Sequence, residues 1–308
     1  MALYNMKTQV AKLEDLVDGV KAGSLDAATN GVVFYVYSVT GSDANSGLTK
    51  TSPLATIEAA MNKTVADRQD IIYVLPNHVE TIIAATTLVV DKNSTSIIGL
   101  GEGFNRPQLT FDNTAGKVVV TAHNAVIANL IFMNSLAAVV TAVEVTGTYN
   151  KIVNCRWDLD ATGLEHLVML DLDTADYCEV LGCFFKAENI DGCATGIRID
   201  ASPGVVIDGC TFRGDFSESA ISGVAGSAAT SADVQVSNNI IENLDTTAGQ
   251  ILDLHDDTTG IVFGNYGFTH YTTDPATAFD PGDCFCIKNF LVNDENETGI
   301  EEPEAIST

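Results

Sequence analysis

The chain has 308 residues, of which 46% are hydrophobic, and its formal net charge is −26 at pH 7. The apolar content suffices for one large domain, and the negative charge argues against binding to nucleic acid or anionic membranes and would repel polyanionic substrates. No run of 18 apolar residues and no signal peptide is present, so we expect neither membrane insertion nor signal-directed secretion.

Residues 1–29 predict an N-terminal α-helix with one apolar face. Its apolar residues alternate at steps of three and four, an a/d heptad pattern: Leu3, Met6, Val10, Leu13, Val17 and Val20. Three heptads are too few for a stable isolated helix. Two alternatives stay open. The helix bundles with copies of itself, which suggests a homotrimer, or it caps strand edges of the following domain.

Short β segments recur through the rest of the chain at intervals of 25 to 29 residues. Six of them begin at Ile127, Ile152, Val180, Ile207, Val236 and Val262. A period in this range is typical of a solenoid. The third residue of each segment is Asn or Gly, which accept a left-handed backbone and therefore suit a sharp corner. A second, alternating strand precedes each segment.

These segments predict an all-β fold, a right-handed, single-stranded parallel β-helix over residues 30–291. The fourth position of each segment should form an interior ladder in which Asn amides hydrogen-bond along the stack. Its members are Leu130, Cys155, Cys183, Cys210, Asn239 and Asn265. Because three of the seven cysteines share this position, we expect buried thiols rather than disulfides.

The start of this region carries a resemblance to a known superfamily. A strand at 34–36 precedes the loop Gly-Ser-Asp-Ala-Asn-Ser-Gly at 41–47, a helix signal at 53–60 and an apolar strand at 71–76. Together with the repeat, this resembles the pectin-lyase-like right-handed parallel β-helix superfamily over about 260 residues. The resemblance implies the fold but leaves function open, because members include lyases, glycosidases, epimerases and non-catalytic phage spike and capsid proteins.

The second strands predict an outward polar surface that is the candidate site. One predicted column holds Glu144, Asp171, Arg198 and Asp253, and the next holds Thr146, Asp173, Asp200 and His255. Carboxylates on adjacent coils suit paired-carboxylate glycoside hydrolysis, and such a cluster could also hold a cation. The alternative is a solvated acidic face in which Arg198 offsets its neighbours. No cofactor is expected; a weak metal site for calcium would use Asp253, Asp256 and Asp257.

Other features argue against catalysis. The Gly-His-Gly element of polygalacturonase-like members is missing, and only one arginine, Arg198, lies near an acidic cluster. The single tryptophan, Trp157, is predicted to point into the core rather than to form a sugar platform. The segments 215–218 and 223–227 are interpreted as loops.

The preferred hypothesis is therefore a structural protein of a bacteriophage virion, a capsid decoration or spike protein. It would be made in the host cytoplasm, act on the virion surface and bind other virion proteins. A glycan depolymerase or lyase that uses Asp171, Asp173, Arg198, Asp200 and Asp253 is one alternative, and a non-catalytic host-glycan binding module is another. Residues 292–308 predict an acidic extended tail, either a free end or an arm on a neighbouring subunit.

Overall fold

The computed structural model describes residues 31–159, 163–187, 193–224, 231–247, 249–270 and 278–293. The predicted helix at 1–29 and the predicted tail beyond Asn293 lie outside these residues. In the described part of the chain, no helix is long and apolar enough to cross a membrane.

The described strands form a parallel β-helix of three sheets, which we name A, B and C in the order in which each coil visits them. Sheet A contains β1 Val33–Val36, β2 Ile71–Val74, β5 Ser96–Gly99, β8 Val126–Ala128, β11 Lys151–Val153, β14 Glu179–Leu181, β17 Val206–Asp208, β20 Val234–Ser237, β23 Thr259–Phe263 and β26 Asp283–Ile287. Sheet B contains β3 Val79–Ile82, β6 Gln108–Phe111, β9 Ile131–Asn134, β12 Arg156–Leu159, β15 Phe184–Lys186, β18 Thr211–Gly214, β21 Ile240–Asn243, β24 Tyr266–Thr269 and β27 Phe290–Asn293. Sheet C contains β4 Leu88–Val90, β7 Val118–Val120, β10 Val139–Val145, β13 His166–Asp173, β16 Cys193–Asp200, β19 Phe216–Gly223, β22 Gln250–Asp253 and β25 Phe279–Asp280.

The predicted fold class is confirmed, and the last strand among the described residues, β27, ends at Asn293, two residues beyond the predicted boundary at 291. One α-helix, α1 Ile57–Met61, and one 3₁₀ turn, Gly103–Asn105, occur within the described residues. Thr56 caps α1 by accepting a hydrogen bond from Ala59 N, and Asp43 of the glycine-rich loop accepts from Thr56 N at 3.0 Å. The loop therefore positions the start of the helix.

The corners between sheets A and B turn at the predicted Asn and Gly positions. Each has a positive φ between 51° and 67°: Asn129, Asn154, Gly182, Gly209, Asn238 and Gly264. One left-handed residue per coil is enough to redirect the chain from one sheet to the next. The prediction from the repeat is confirmed at all six positions.

The residue after each corner points inward and forms the predicted ladder. Asn239 Nδ2 donates to Asn265 Oδ1 at 3.0 Å, and Asn265 Nδ2 donates to Asn289 Oδ1 at 2.9 Å. The same Oδ1 atoms also accept hydrogen bonds from backbone N–H groups. The side-chain amides and the backbone therefore meet each other's hydrogen-bonding requirements inside the core. In the coils nearer the N-terminus, Cys155, Cys183 and Cys210 occupy the same ladder position. All seven cysteines are free thiols.

Two positions beyond this ladder, aromatic rings stack through the centre of the solenoid. Ring centroids of Trp157 and Phe185 lie 4.4 Å apart, and those of Phe185 and Phe212 lie 4.7 Å apart. Trp157 is fully buried, as predicted. Stacked aromatic pairs add about 0.5–1.5 kcal/mol each beyond their burial, so this column fixes the register of the middle coils.

One predicted loop is instead partly strand. Residues 216–223 form β19, and the core residues Phe216, Ala220 and Ile221 are fully buried. The interpretation of 215–218 as a loop was wrong because Ser, Glu and Gly obscure the inward-facing pattern of this strand. This extra strand lies between β16 and β22, which changes the predicted columns on sheet C.

Candidate functional site

The outer face of sheet C carries the predicted acidic residues, but the order of the column differs from the prediction. The cross-strand register aligns Glu144, Asp171, Arg198, Ser222, Asp253 and Asp280. Ser222 therefore separates Arg198 from Asp253, which the sequence had placed on neighbouring coils. The structure brings Asp171, Asp173, Arg198 and Asp200 together and leaves Asp253 one coil further away.

Arg198 and Asp171 form a closed, two-point ion pair. Arg198 Nε donates to Asp171 Oδ1 at 2.9 Å, and Nη2 donates to Oδ2 at 2.5 Å. Asp171 is only 3% exposed, which corrects its prediction as an open outward carboxylate. The hydrogen bond to Asp171 raises the pKa of Arg198 above its ordinary value. Both carboxylate oxygens of Asp171 are occupied, so this pair is a rigid support rather than a free nucleophile.

Asp173 and Asp200 face each other across β13 and β16 at the solvent side of that ion pair. Partial burial raises the pKa of Asp173, and the charges of Asp200, Asp171 and Glu144 raise it further, while Arg198 lowers it. Asp200 Oδ1 is buried without a hydrogen-bond partner. A carboxyl group with a raised pKa beside a second carboxylate is an arrangement from which general acid catalysis can be built.

The predicted calcium ligands do not converge. Asp253 pairs in register with Asp280, and partial burial together with the Asp280 charge raises the pKa of Asp253. The Asp257 carboxylate lies beside His255, with Oδ2 3.8 Å from Nδ1. Among residues described by the structure, no group of three or more His, Cys, Asp or Glu side chains could hold a metal ion.

A depression of about 470 Å³ beside α1 also contains carboxylates, Glu58 and Glu80. Glu80 Oε2 accepts from Ile57 N at 2.8 Å and lies 3.1 Å from His78 Nε2. Glu58 Oε2 accepts from Val89 N at 3.0 Å. Both carboxylates thus bind backbone or buried groups of the first coils, and their role there is structural.

Sequence reasoning missed a second surface, the outer face of sheet A. The strand residues on either side of the buried isoleucine–valine column point outward, and most are apolar. The apolar members are Val33, Tyr35, Ile71, Tyr73, Ile98, Val126, Ala128, Val153, Leu181, Val206, Ile261, Phe263, Phe285 and Ile287, of which Ile71, Ala128 and Val153 are largely buried. The polar members include Ser96, Lys151, Glu179, Asp208, Gln235 and Ser237. The signal was present in runs such as Ile71–Val74, which are apolar throughout and do not alternate.

Comparisons with known proteins agree with the fold. No protein-family model and no curated protein matches the chain. Among solved structures, pectate lyase Pel9A aligns with a TM-score of 0.57 at 12% identity, over 88% of this chain and 80% of the lyase. The chain has the fold of the pectate-lyase-like right-handed β-helices. Pectin methylesterase from carrot aligns with a TM-score of 0.54 at 12% identity, over 87% of this chain and 85% of the esterase.

A protein described as Geobacillus virus E2 ORF18 also matches, with a TM-score of 0.45, 10% identity and coverage of 77% of this chain and 57% of the viral chain. That score is too low to carry weight, and the identities of the other two show the fold alone. The pectin-lyase-like resemblance of the sequence is confirmed for architecture, and function has to be argued from the surfaces of the solenoid.

Proposed function

We propose that the protein is a structural component of a bacteriophage particle, a β-helical decoration or spike protein that attaches to other virion proteins through the outer face of sheet A. The observation that supports this function is the apolar character of that face. Phe285 and Ile287, at its C-terminal end, are 70% and 49% exposed. Exposed apolar patches on soluble proteins often mark interaction sites, and on this face they lie on both sides of the polar residues Lys151, Glu179 and Asp208.

The dimensions of this face also suit attachment to an ordered particle. Ten parallel strands spaced about 4.8 Å apart make a flat strip about 43 Å long. Each strand is fixed by its neighbours and by the interior ladder, so the strip presents its side chains without reorganising. A preorganised surface loses little conformational entropy on binding.

The outer faces of sheets A and C differ strongly in polarity, which would orient the protein on the particle. Sheet C exposes acidic residues such as Asp173 and Asp253 with few apolar ones, whereas the outward residues of sheet A, such as Ile98, Leu181 and Phe263, are mostly apolar. An apolar contact side and a charged solvent side favour one binding orientation, and the net charge of −26 keeps the outward surface soluble.

The segment 1–29 completes this proposal as an oligomerisation element. Its six heptad residues would join three copies into a homotrimer, and the protein would be made in the host cytoplasm and end on the virion surface. Light scattering should give a mass three times the 32.5 kDa of one chain, falling to a single copy when residues 1–24 are removed. A full-length monomer would contradict the trimer.

The attachment surface is tested by placing a charge on it. Leu181→Glu and Ile98→Glu should each weaken binding to particles assembled without the protein by at least about tenfold, because a carboxylate would be desolvated at the contact. Thr211→Glu, on the outer face of sheet B, is the matched control and should bind like the wild type. Co-sedimentation measures the affinity. Unchanged binding by both sheet A variants would exclude this face.

A second candidate function is glycan cleavage by the Asp173–Asp200 pair, favoured by the raised pKa of Asp173. Methyl-esterified pectin and rhamnogalacturonan are suitable first probes because proteins of the same fold are described as a pectin methylesterase and a rhamnogalacturonan lyase. Asp173→Asn and Asp200→Asn should abolish any cleavage, whereas Asp176→Asn, at a corner of the same coil, should not. Activity that survives both changes would rule out this pair.

A further inference from the structure

The corners between sheets C and A contain an unusual pair of residues. In successive coils one residue at this corner has a positive φ between 55° and 71°: Ser94, Asn124, Tyr149, Tyr177, Gly204 and Asp233. Small or polar residues adopt this left-handed conformation at low cost, but a bulky aromatic side chain is uncommon there. The coils with Ser, Asn, Gly or Asp show that the corner itself does not require tyrosine.

The two tyrosines form a rigid, exposed stack. Their ring centroids are 4.9 Å apart with an interplanar angle of 8°, yet Tyr149 is 53% and Tyr177 is 49% exposed. The opposite side of Tyr177 packs on Gly204, where an added Cβ would come within 2.3 Å of ring atom Cδ1. Tyr177 is therefore held between Gly204 and Tyr149, and the half-exposed ring of Tyr149 ends the aromatic stack on the side of the preceding coil.

Polar residues border the Tyr149 ring on the side of the preceding coil. The neighbouring corner residue is Asn124, which is exposed and whose side chain is shorter than the tyrosine ring, so the outer part of the ring extends past it. Thr148 N donates to His123 Nδ1 at 3.0 Å. Because Nδ1 is the acceptor, the neutral imidazole carries its proton on Nε2, which is then a donor.

We propose that the tyrosine shelf, formed by His123, Asn124, Tyr149 and Tyr177, binds a pyranose ring of a neutral glycan. The apolar face of a sugar would stack on Tyr149, while the Asn124 amide and the His123 ring bond its hydroxyl groups. The net charge of −26 disfavours acidic sugars. This site is distinct from the outer face of sheet A and from the Asp173–Asp200 pair, and it does not depend on attachment to a particle.

Saturation-transfer NMR of the full chain with neutral oligosaccharides derived from mannan, galactan and starch tests the proposal, with polygalacturonate as the anionic comparison. Tyr149→Asn, which installs the residue of the preceding coil, should retain the fold and weaken binding about tenfold. Tyr149→Phe should remain within about threefold of the wild type because it keeps the ring. Tyr266→Ala removes a different exposed ring, stacked on Phe290 at 5.2 Å, and should bind normally.

Three results would overturn the proposal. If the wild type binds none of the neutral oligosaccharides, neutral glycans are excluded as the ligand. Equal affinity of Tyr149→Asn and the wild type would show that sugars bind elsewhere. Preference for polygalacturonate would contradict the role assigned to charge. Because circular dichroism of Tyr149→Asn reports the fold separately, a loss of binding with an unchanged spectrum supports the shelf.

Discussion

Acidification should destabilise the protein through His166, by about 2 kcal/mol between pH 6.5 and pH 5. The His166 ring is fully buried, packs edge-on against Phe111 at 5.1 Å, and has no hydrogen-bond partner at either nitrogen. Burial lowers the pKa of His166 from 6.5 to about 3. Between these two pKa values the unfolded chain binds a proton that the folded protein excludes. The contribution of neutral His166 to the free energy of unfolding is therefore fully present above pH 6.5 and is lost as the pH falls toward 3.

The variant His166→Leu isolates this effect from the carboxylates that also titrate in acid. Its free energy of unfolding should fall less steeply below pH 6.5 than that of the wild type, by about 1.4 kcal/mol per pH unit. Urea denaturation, followed through the fluorescence of Trp157 at several pH values, supplies the comparison. Parallel curves for His166→Leu and the wild type would contradict the prediction.

Replacing Asn265 with alanine should lower the stability of the C-terminal coils by about 3–5 kcal/mol, because several buried groups would lose partners together. Asn265 Oδ1 accepts from the backbone and the amide of Asn239, and Asn265 Nδ2 donates to Val236 O and Asn289 Oδ1. Each buried group left unsatisfied costs about 1–3 kcal/mol.

Cys210→Ala is the control at the same ladder position two coils earlier. Its thiol makes long contacts, 3.5 Å to Val180 O and 3.7 Å to Asp208 O, so the loss should be about 1 kcal/mol. Native-state hydrogen exchange of the amides in β23, β24 and β26 measures the local effect, which matters in a solenoid whose coils interact mainly with their neighbours. Equal exchange rates in the two variants would show that the amide chain adds nothing to packing.

The fold was predictable because each coil repeats the same local rule. A corner needs one residue that tolerates a left-handed backbone. The residue after it must be small, or must hydrogen-bond to the equivalent residue of the next coil, to fit the ladder. Asn129, Gly182 and Asn265 satisfy these rules from sequence alone. The repeat interval then predicts the positions of the remaining strands, so one correct interval determines most of the architecture.

The candidate site was less predictable because it depends on which coils are adjacent. Overlooking β19 placed Asp253 beside Arg198, although Ser222 lies between them. Asp171 was predicted as an open carboxylate, but its burial beneath Arg198 arises from side-chain packing that no repeat encodes. The Tyr149–Tyr177 stack was missed because it lies at a corner where composition predicts only turn residues.

Parallel in-register stacking also determines how this molecule can evolve. A coil begins at Ile152 and the next begins at Val180, and β11 and β14 meet similar neighbours on either side. Duplication of one such unit would therefore add about 4.8 Å to the rod while leaving every other coil in the same environment. Length can change in whole steps, so a lineage could adjust the reach of the protein to a larger or smaller partner without redesigning its interior.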